Sequence, residues 1–573
     1  MRHGLDCGVV SGLLLLMVAL LVPGCAPKVD PADMVLRNGK IVTVDEARPE
    51  AQALAVRGDT IVAIGTDDEI RPYIGEKTEV IDLGGTLAIP GLIDSHLHFT
   101  GIGTNKLQLD LMRVKNWNEV IAMVADAVKK AKPGELISGR GWHQEKWDTV
   151  PQPNVEGFPT HQGLSAVSPD NPVVLRHASG HATFANAKAM ELAGITKKTP
   201  NPSGGEILKD KAGNPIGVFR ETASGLLSKG MANLPKPTPE EQEARERRII
   251  ELSAGECLRN GVTSVHDAGV GAETIARYKT MIDEGRLGVR IYAMLQGSNE
   301  SLARDLASRK VIDYGNRHLT VRSIKRLIDG ALGPRGAWLL EPYADLPAST
   351  GLNTDSVENI TETARLAIEN GFQLNVHAIG DRANRETLNI FEAAFKAHPD
   401  AKDTRWRIEH AQHISAADIP RFGQLGVIAA MQAIHCTSDA PYVLQRLGPA
   451  RAQEGAYVWR KLMTTGAVIA NGTDAPVEYV DTMPGFYAFV TRKMKNGEAF
   501  FPDQKLTRAE ALRAYTLNGA FAAFEEHSKG SLAPGKLADI AVLSKDIMTI
   551  PEEEILTTEV LYTIVGGKVL YKK

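Results

Sequence analysis

Two hydrophobic rhythms run along the chain. At both ends, apolar residues come in short β-rich runs broken by turns. These are Met34 to Leu36, Lys40 to Val44, Ala53 to Val56, Thr60 to Ile64 and Glu79 to Asp82, then Asp539 to Leu543, Val560 to Val565 and Lys568 to Tyr571. Asn38-Gly39, Arg57-Gly58-Asp59 and Gly566-Gly567 punctuate them. The economical reading is that residues 25–89 and 526–573 combine into one small β-sandwich domain, leaving the middle of the chain to a larger one.

The middle alternates apolar, β-rich runs with helical stretches, the pattern of a parallel sheet wrapped by helices. Eight candidate strands lie near Gly91 to Asp94, Val262 to Val265, Arg290 to Leu295, Ser323 to Ile328, Gln373 to Val376, Arg405 to Ile408, Val427 to Met431 and Ala467 to Ala470. Helices such as Ser356 to Asn370, stopped by Gly371, and Arg385 to Ala397 connect them. Eight such units predict an α/β fold, a (β/α)₈ barrel of TIM type over residues 90–525. Residues 104–245, between the first two strands, are too many for a crossover and read as an insertion. After a barrel strand, an insertion of that length is a candidate lid over the catalytic face.

Composition narrows this only slightly. With 573 residues, 43% hydrophobic, 23% charged and a net charge of −4, the chain is an ordinary globular protein with no sign of nucleic-acid binding. The first 24 residues stand apart. Arg2 and His3 precede an apolar run from Val9 to Val22 that ends in Leu21-Val22-Pro23-Gly24-Cys25. This is the form of a lipoprotein signal peptide, short for a spanning helix and ending in a small residue before a cysteine. An exported protein tethered to a membrane by lipid on Cys25 is the expectation; the alternatives are an ordinary signal peptide cut nearby, giving a periplasmic or secreted protein, or an uncleaved anchor. Cys257 and Cys436 remain as two free thiols or one bridge. With no Cys-x-x-Cys, any metal site must use histidine and carboxylate.

The polar residues cluster where the candidate strands end. The first runs into Asp94-Ser95-His96-Leu97-His98, whose alternation points both histidines the same way. Two imidazoles make half a zinc site. The fifth ends in Val376-His377-Ala378, the sixth in Glu409-His410-Ala411, and the eighth leads to Gly472-Thr473-Asp474. Lys325 interrupts the apolar fourth strand; either it faces the barrel, where carbamylation would make it an anionic bridging ligand, or it snorkels outward and Arg326 faces in.

Ile89-Pro90-Gly91-Leu92-Ile93-Asp94 before His96-Leu97-His98 resembles the opening signature of the amidohydrolase superfamily. The likeness continues through Asp329-Gly330-Ala331-Leu332-Gly333, the segment Val376 to Ala383, Arg407 to Gln412, Met431 to Asp439 and Gly472 to Val477, which are similar to the YtcJ-like branch. It departs at Ala433, where proline is expected, and at Pro334-Arg335-Gly336, which bears on substrate contacts rather than on the metal.

The resemblance implies a divalent metal centre, zinc first, of one or two ions held by His96, His98, Lys325, His377, His410 and Asp474, with Lys325 carbamylated if binuclear. Water on such a metal falls in pKa from ~15.7 towards ~7. Asp474 would take the water's proton and pass it to a leaving nitrogen. His435 is either a donor to the developing oxyanion or a structural residue. His181, Trp142 and Arg335 are candidate contacts to a small-molecule substrate. The expected reaction is hydrolysis of a non-peptide amide, against two alternatives: a lactone, ester or phosphoester cleaved at the same metal, or a binding lipoprotein without activity. The chain could also form a homo-oligomer.

Overall fold

A computed structural model describes residues 29–232 and 234–573. The segment expected to be a signal peptide, and Cys25, lie outside the described residues. Eight parallel strands make the central sheet: β1 Leu92–Leu97, β2 Val262–Val270, β3 Arg290–Leu295, β4 Leu319–Leu327, β5 Gln373–Ala378, β6 Arg407–His410, β7 Ile428–Met431 and β8 Ile469–Asn471. They pair in chain order from β1 to β8. The fold is the expected (β/α)₈ barrel. Strands such as β3 are buried along their whole length because helices cover one face and the barrel core the other.

The barrel closes between β1 and the segment after β8. Asp474 N–H donates to the His96 carbonyl (2.7 Å) and His98 N–H to that of Ala475 (2.8 Å). Asp94 accepts from Thr473, at 3.0 Å from its N–H and 2.5 Å from its hydroxyl. Gly472 makes this approach possible, since a Cβ there would lie 2.4 Å from the His96 backbone nitrogen.

Both chain ends form two further sheets. One has the order Thr60–Gly65, Ala53–Arg57, Met34–Arg37, Glu79–Asp82; the other runs Lys568–Lys572, Val560–Val565, Ile540–Leu543, Leu87–Pro90, Lys40–Val42, Glu50–Ala51. Leu36, Leu54 and Val56 of the first pack with Ile540, Val542 and Ile564 of the second in one apolar core. Buried Arg290 of β3 joins this layer to the barrel, donating to both oxygens of Asp539 at 2.8 and 3.0 Å.

Between the helices Phe99–Asn105 and Pro239–Arg259 the chain makes a long excursion. It builds a six-stranded mixed sheet in the order Gly205–Lys209, Pro215–Glu221, Ala182–Ala185, Val173–His177, Ile137–Trp142, Leu109–Asp110, with a core of its own around Leu175, Phe158 and Phe184. Cys257 and Cys436 are buried and unpaired. Among the described residues no helix is long and apolar enough to cross a membrane.

Candidate active site

Donor atoms of His96, His410 and Asp474 converge to within 4.8 Å of one another at the C-terminal mouth of the barrel. Asp474 Oδ1 lies 3.6 Å from His96 Nε2 and 3.3 Å from His98 Nε2, and its Oδ2 is 3.9 Å from His435 Nε2. The His377 ring is centred 4.4 Å from that of His410 and 5.0 Å from that of His181. Residues from β1, β5, β6 and the segments after β7 and β8 thus meet in one place. The backbone is bent to bring them there: His410, Ala411 and Asp474 have φ of 74°, 44° and 57°, a conformation that non-glycine residues hold only where their surroundings impose it.

Each imidazole is aimed by what its other nitrogen does. His96 Nδ1 is bonded to Glu409 and His410 Nδ1 lies 2.7 Å from Gln432 Oε1, so the Nε2 atoms keep their lone pairs for the donor cluster. His96 Nε2, His377 Nε2, His435 Nε2 and Asp474 Oδ1 are buried without any hydrogen-bond partner. Buried polar atoms are rarely left so. The donors of His96, His410 and Asp474, two of them in this unpartnered set and all within 4.8 Å of one another, fit a divalent cation held by histidine and aspartate.

Lys325 is 3% exposed and directed into the barrel, where its charge senses Glu409 and Asp474. Arg326 turns the other way, donating to Thr363 (2.8 Å) and Asn299 (2.8 Å) on the surrounding helices. Burial lowers the Lys325 pKa to about 8, against the pull of the two carboxylates. Burial likewise lowers His96 to about 4 and leaves His377 and His410 well below the usual histidine range. Burial opposes ionisation of Asp474, but the His98 ring 3.3 Å away and the His96 and His410 rings beside it outweigh that, so its pKa lies well below the ordinary carboxylate value.

The sequence reading missed the supports. Glu409 is fully buried, bonded to His96 and 2.7 Å from Arg407 Nε; Arg407 also donates to the Ser95 carbonyl at 2.6 Å. Its neighbour His410 drew attention instead, because a strand end shows no difference between a ligand and the residue that aims one. Asp329 accepts three backbone N–H groups, from Ile379, Gly380 and Trp338 at 2.8 to 3.0 Å, and lies 3.5 Å from His377 Nε2. Burial raises its pKa to about 7.

Above the donors opens a cavity whose walls include His181, His377, His410, His435 and Asp474. His181 Nδ1 is 2.7 Å from Glu221; burial works against protonation, yet the Glu221 charge wins and raises the His181 pKa. Two expected contacts stand elsewhere. Trp142 is completely buried in the core of the excursion, against His177, Phe158 and Phe184, and donates to the Leu175 carbonyl at 2.9 Å. An aromatic beside a histidine is equally a packing residue, and here packing claimed it. Arg335 faces Asp345 at 2.9 Å, outside the cavity wall that its neighbours Gly333 and Pro334 form. His143, one residue after Trp142, lines the cavity instead.

The amidohydrolase family pattern matches residues 79–571. The chain belongs to the amidohydrolase family. It is 33% identical to Protein LONG AFTER FAR-RED 3 of Arabidopsis thaliana, over 94% of this chain and 92% of that one. To the putative amidohydrolase YtcJ of Bacillus subtilis it is 29% identical, over 94% and 99%, and to the N-substituted formamide deformylase of Arthrobacter pascens 27%, over 94% and 98%. Among solved structures it resembles an uncharacterized metal-dependent hydrolase from Pyrococcus horikoshii, with a TM-score of 0.71 and 26% identity over 91% of this chain and 99% of that one. As a member of this family the chain is a hydrolase, and the donor set described above fits a metal-dependent one.

Proposed function

We propose that the protein hydrolyses the amide bond of a small N-substituted amide, using zinc held by His96, His98, His377, His410 and Asp474, with Lys325 as a carbamate bridge if two ions bind. The observation that carries this is the convergence of buried donors on His96, His410 and Asp474 to within 4.8 Å of one another, beneath a cavity that His377, His410 and Asp474 line. The likeness to a formamide deformylase along nearly its whole length supports the choice of bond. When bound, the ion supplies Lewis acidity toward the scissile carbonyl and acidifies water near neutral pH.

The chain's own groups do the rest. Asp474, kept ionised, takes a proton from the attacking water as its oxygen adds to the carbonyl carbon. His435 Nε2, unpartnered and 3.9 Å from Asp474 Oδ2, donates to the carbonyl oxygen as charge develops on it. Asp474 then returns the proton to the leaving nitrogen as the C–N bond breaks, releasing a carboxylic acid and an amine. The excursion over residues 104–245 acts as the substrate-selecting lid, contributing His143, Lys146 and His181 to the wall. A panel of matched amide, lactone and phosphoester substrates with metal-loaded protein tests the bond: turnover confined to the amides is expected, and turnover confined to either other class would overturn the reading.

The same proposal places the mature protein on a membrane through lipid on Cys25, on the strength of the N-terminal pattern alone. Metabolic labelling should show an acyl chain that Cys25→Ala abolishes; an unlabelled wild-type protein would contradict it.

A further inference from the structure

The cavity reaches beyond the metal ligands, and its outer half has a character of its own. His143 follows the strand Ile137–Trp142, is 7% exposed and lines this half. Its Nδ1 is fully buried with no hydrogen-bond partner. Its ring lies along that of Tyr442, with centroids 5.6 Å apart and planes 29° from parallel. The opposite edge meets bare backbone, since a Cβ on Gly333 would sit 3.3 Å from His143 Nε2. Burial, then the charges of His177, Lys146 and Arg446, keep the ring neutral, with one N–H to give and one lone pair to accept.

The charges around it are already used. Lys146 Nζ is 2.7 Å from Glu478, and Asp439 accepts from Gln412 (3.0 Å) and Tyr457 (2.8 Å). Arg446 is spent on Glu145 (2.5 Å) and on Asp345, contacts that also fix the backbone two residues beyond His143. Among the described residues, no cationic side chain in this part of the wall lacks a carboxylate partner. A substrate carboxylate buried here would be unpaired beside Asp439 and Glu478, and an ammonium would find carboxylates whose bonds are already made; either is costly. Leu332, Val477 and Ala178 add apolar surface between these paired groups.

We infer that this half of the cavity receives an uncharged, planar arm of the substrate amide, laid along the His143–Tyr442 pair and hydrogen-bonded to His143. The inference rests on the amide-hydrolysis reading and names the class of amide. It excludes N-acyl amino acids, whose carboxylate sits on the same arm.

Three matched compounds test it on the metal-loaded full-length protein: N-benzylacetamide, N-acetylphenylglycine, which adds a carboxylate, and N-(4-aminomethylbenzyl)acetamide, which adds an ammonium. Turnover is followed on the amides, and binding by calorimetry on their ketone isosteres, in which CH₂ replaces the amide N–H so that nothing is cleaved. The neutral isostere should bind ~10-fold tighter than either charged one. Glu478→Gln, which frees Lys146, should shift the neutral-to-carboxylate binding ratio toward the carboxylate. For a polar-armed neutral isostere, 4-(4-hydroxyphenyl)butan-2-one, His143→Phe, which keeps the stack and removes the hydrogen bond, should weaken binding ~10-fold. A charged isostere bound as tightly as the neutral one, no binding of any, or an unmoved His143→Phe affinity would overturn the inference. Selective binding of the neutral isostere without cleavage of any amide would uphold the arm and sink the hydrolysis reading.

Discussion

Asp474 carries two duties that one substitution separates. An asparagine in its place would keep an oxygen beside His96 and His98 but could not take up a proton at neutral pH, so Asp474→Asn should fold and hold metal while turnover per bound ion falls ~10²-fold or more. Glu409 aims His96 and balances the buried charge of Arg407. Glu409→Gln should therefore destabilise the barrel, leaving the Arg407 guanidinium without its carboxylate, and in the protein that still folds should weaken metal affinity ~10- to 100-fold, read by competition with a chelating dye; an unchanged affinity would remove the Glu409–His96 bond from the account. The metal-facing residues were legible because histidine and aspartate at successive strand ends are an uncommon coincidence. The residues behind them were not, since burial and partner, rather than residue type, distinguish Glu409 and Asp329 from ordinary strand-end carboxylates.

At the scale of elements, the strands were legible as apolar runs while their ends were not. β4 begins at Leu319, ahead of the expected Ser323, because Thr320 and Arg322 break its apolar signal. The helix Asp381–Ala397 starts four residues before the expected Arg385, since its first turn, Asp-Arg-Ala-Asn, has no apolar periodicity. The sheet of the excursion went unread, its strands being short and far apart in sequence. What joins barrel to terminal layer is the Arg290–Asp539 pair, both partners 5% exposed or less. Burial opposes ionisation of Asp539, but the Arg290 charge and hydrogen bonds prevail and hold its pKa below the ordinary value. A depressed folded pKa means stability that is present above the unfolded value of ~3.9 and lost as pH falls through the folded one. Asp539→Asn, which strands a buried guanidinium, should cost ~3–5 kcal/mol at pH 7. In urea melts the gap from wild type should narrow below pH ~4; a gap constant down to pH 3 would show that the pair contributes through packing alone.

At the scale of the molecule, barrel and excursion meet around the cavity above the donor cluster, and the barrel's closing seam is also its metal edge, because Asp94, His96, His98 and Asp474 all belong to it. Binding an ion there should therefore stabilise the whole fold as well as enable the reaction, by ~2.7 kcal/mol at a hundredfold excess over Kd. One titration tests both. Protein stripped by chelation is reloaded stepwise with zinc while amide turnover and melting temperature are followed together. Turnover absent from the stripped protein, and rising in step with ions bound and with melting temperature, is the expected result; full amide turnover by metal-free protein would contradict the account at its centre.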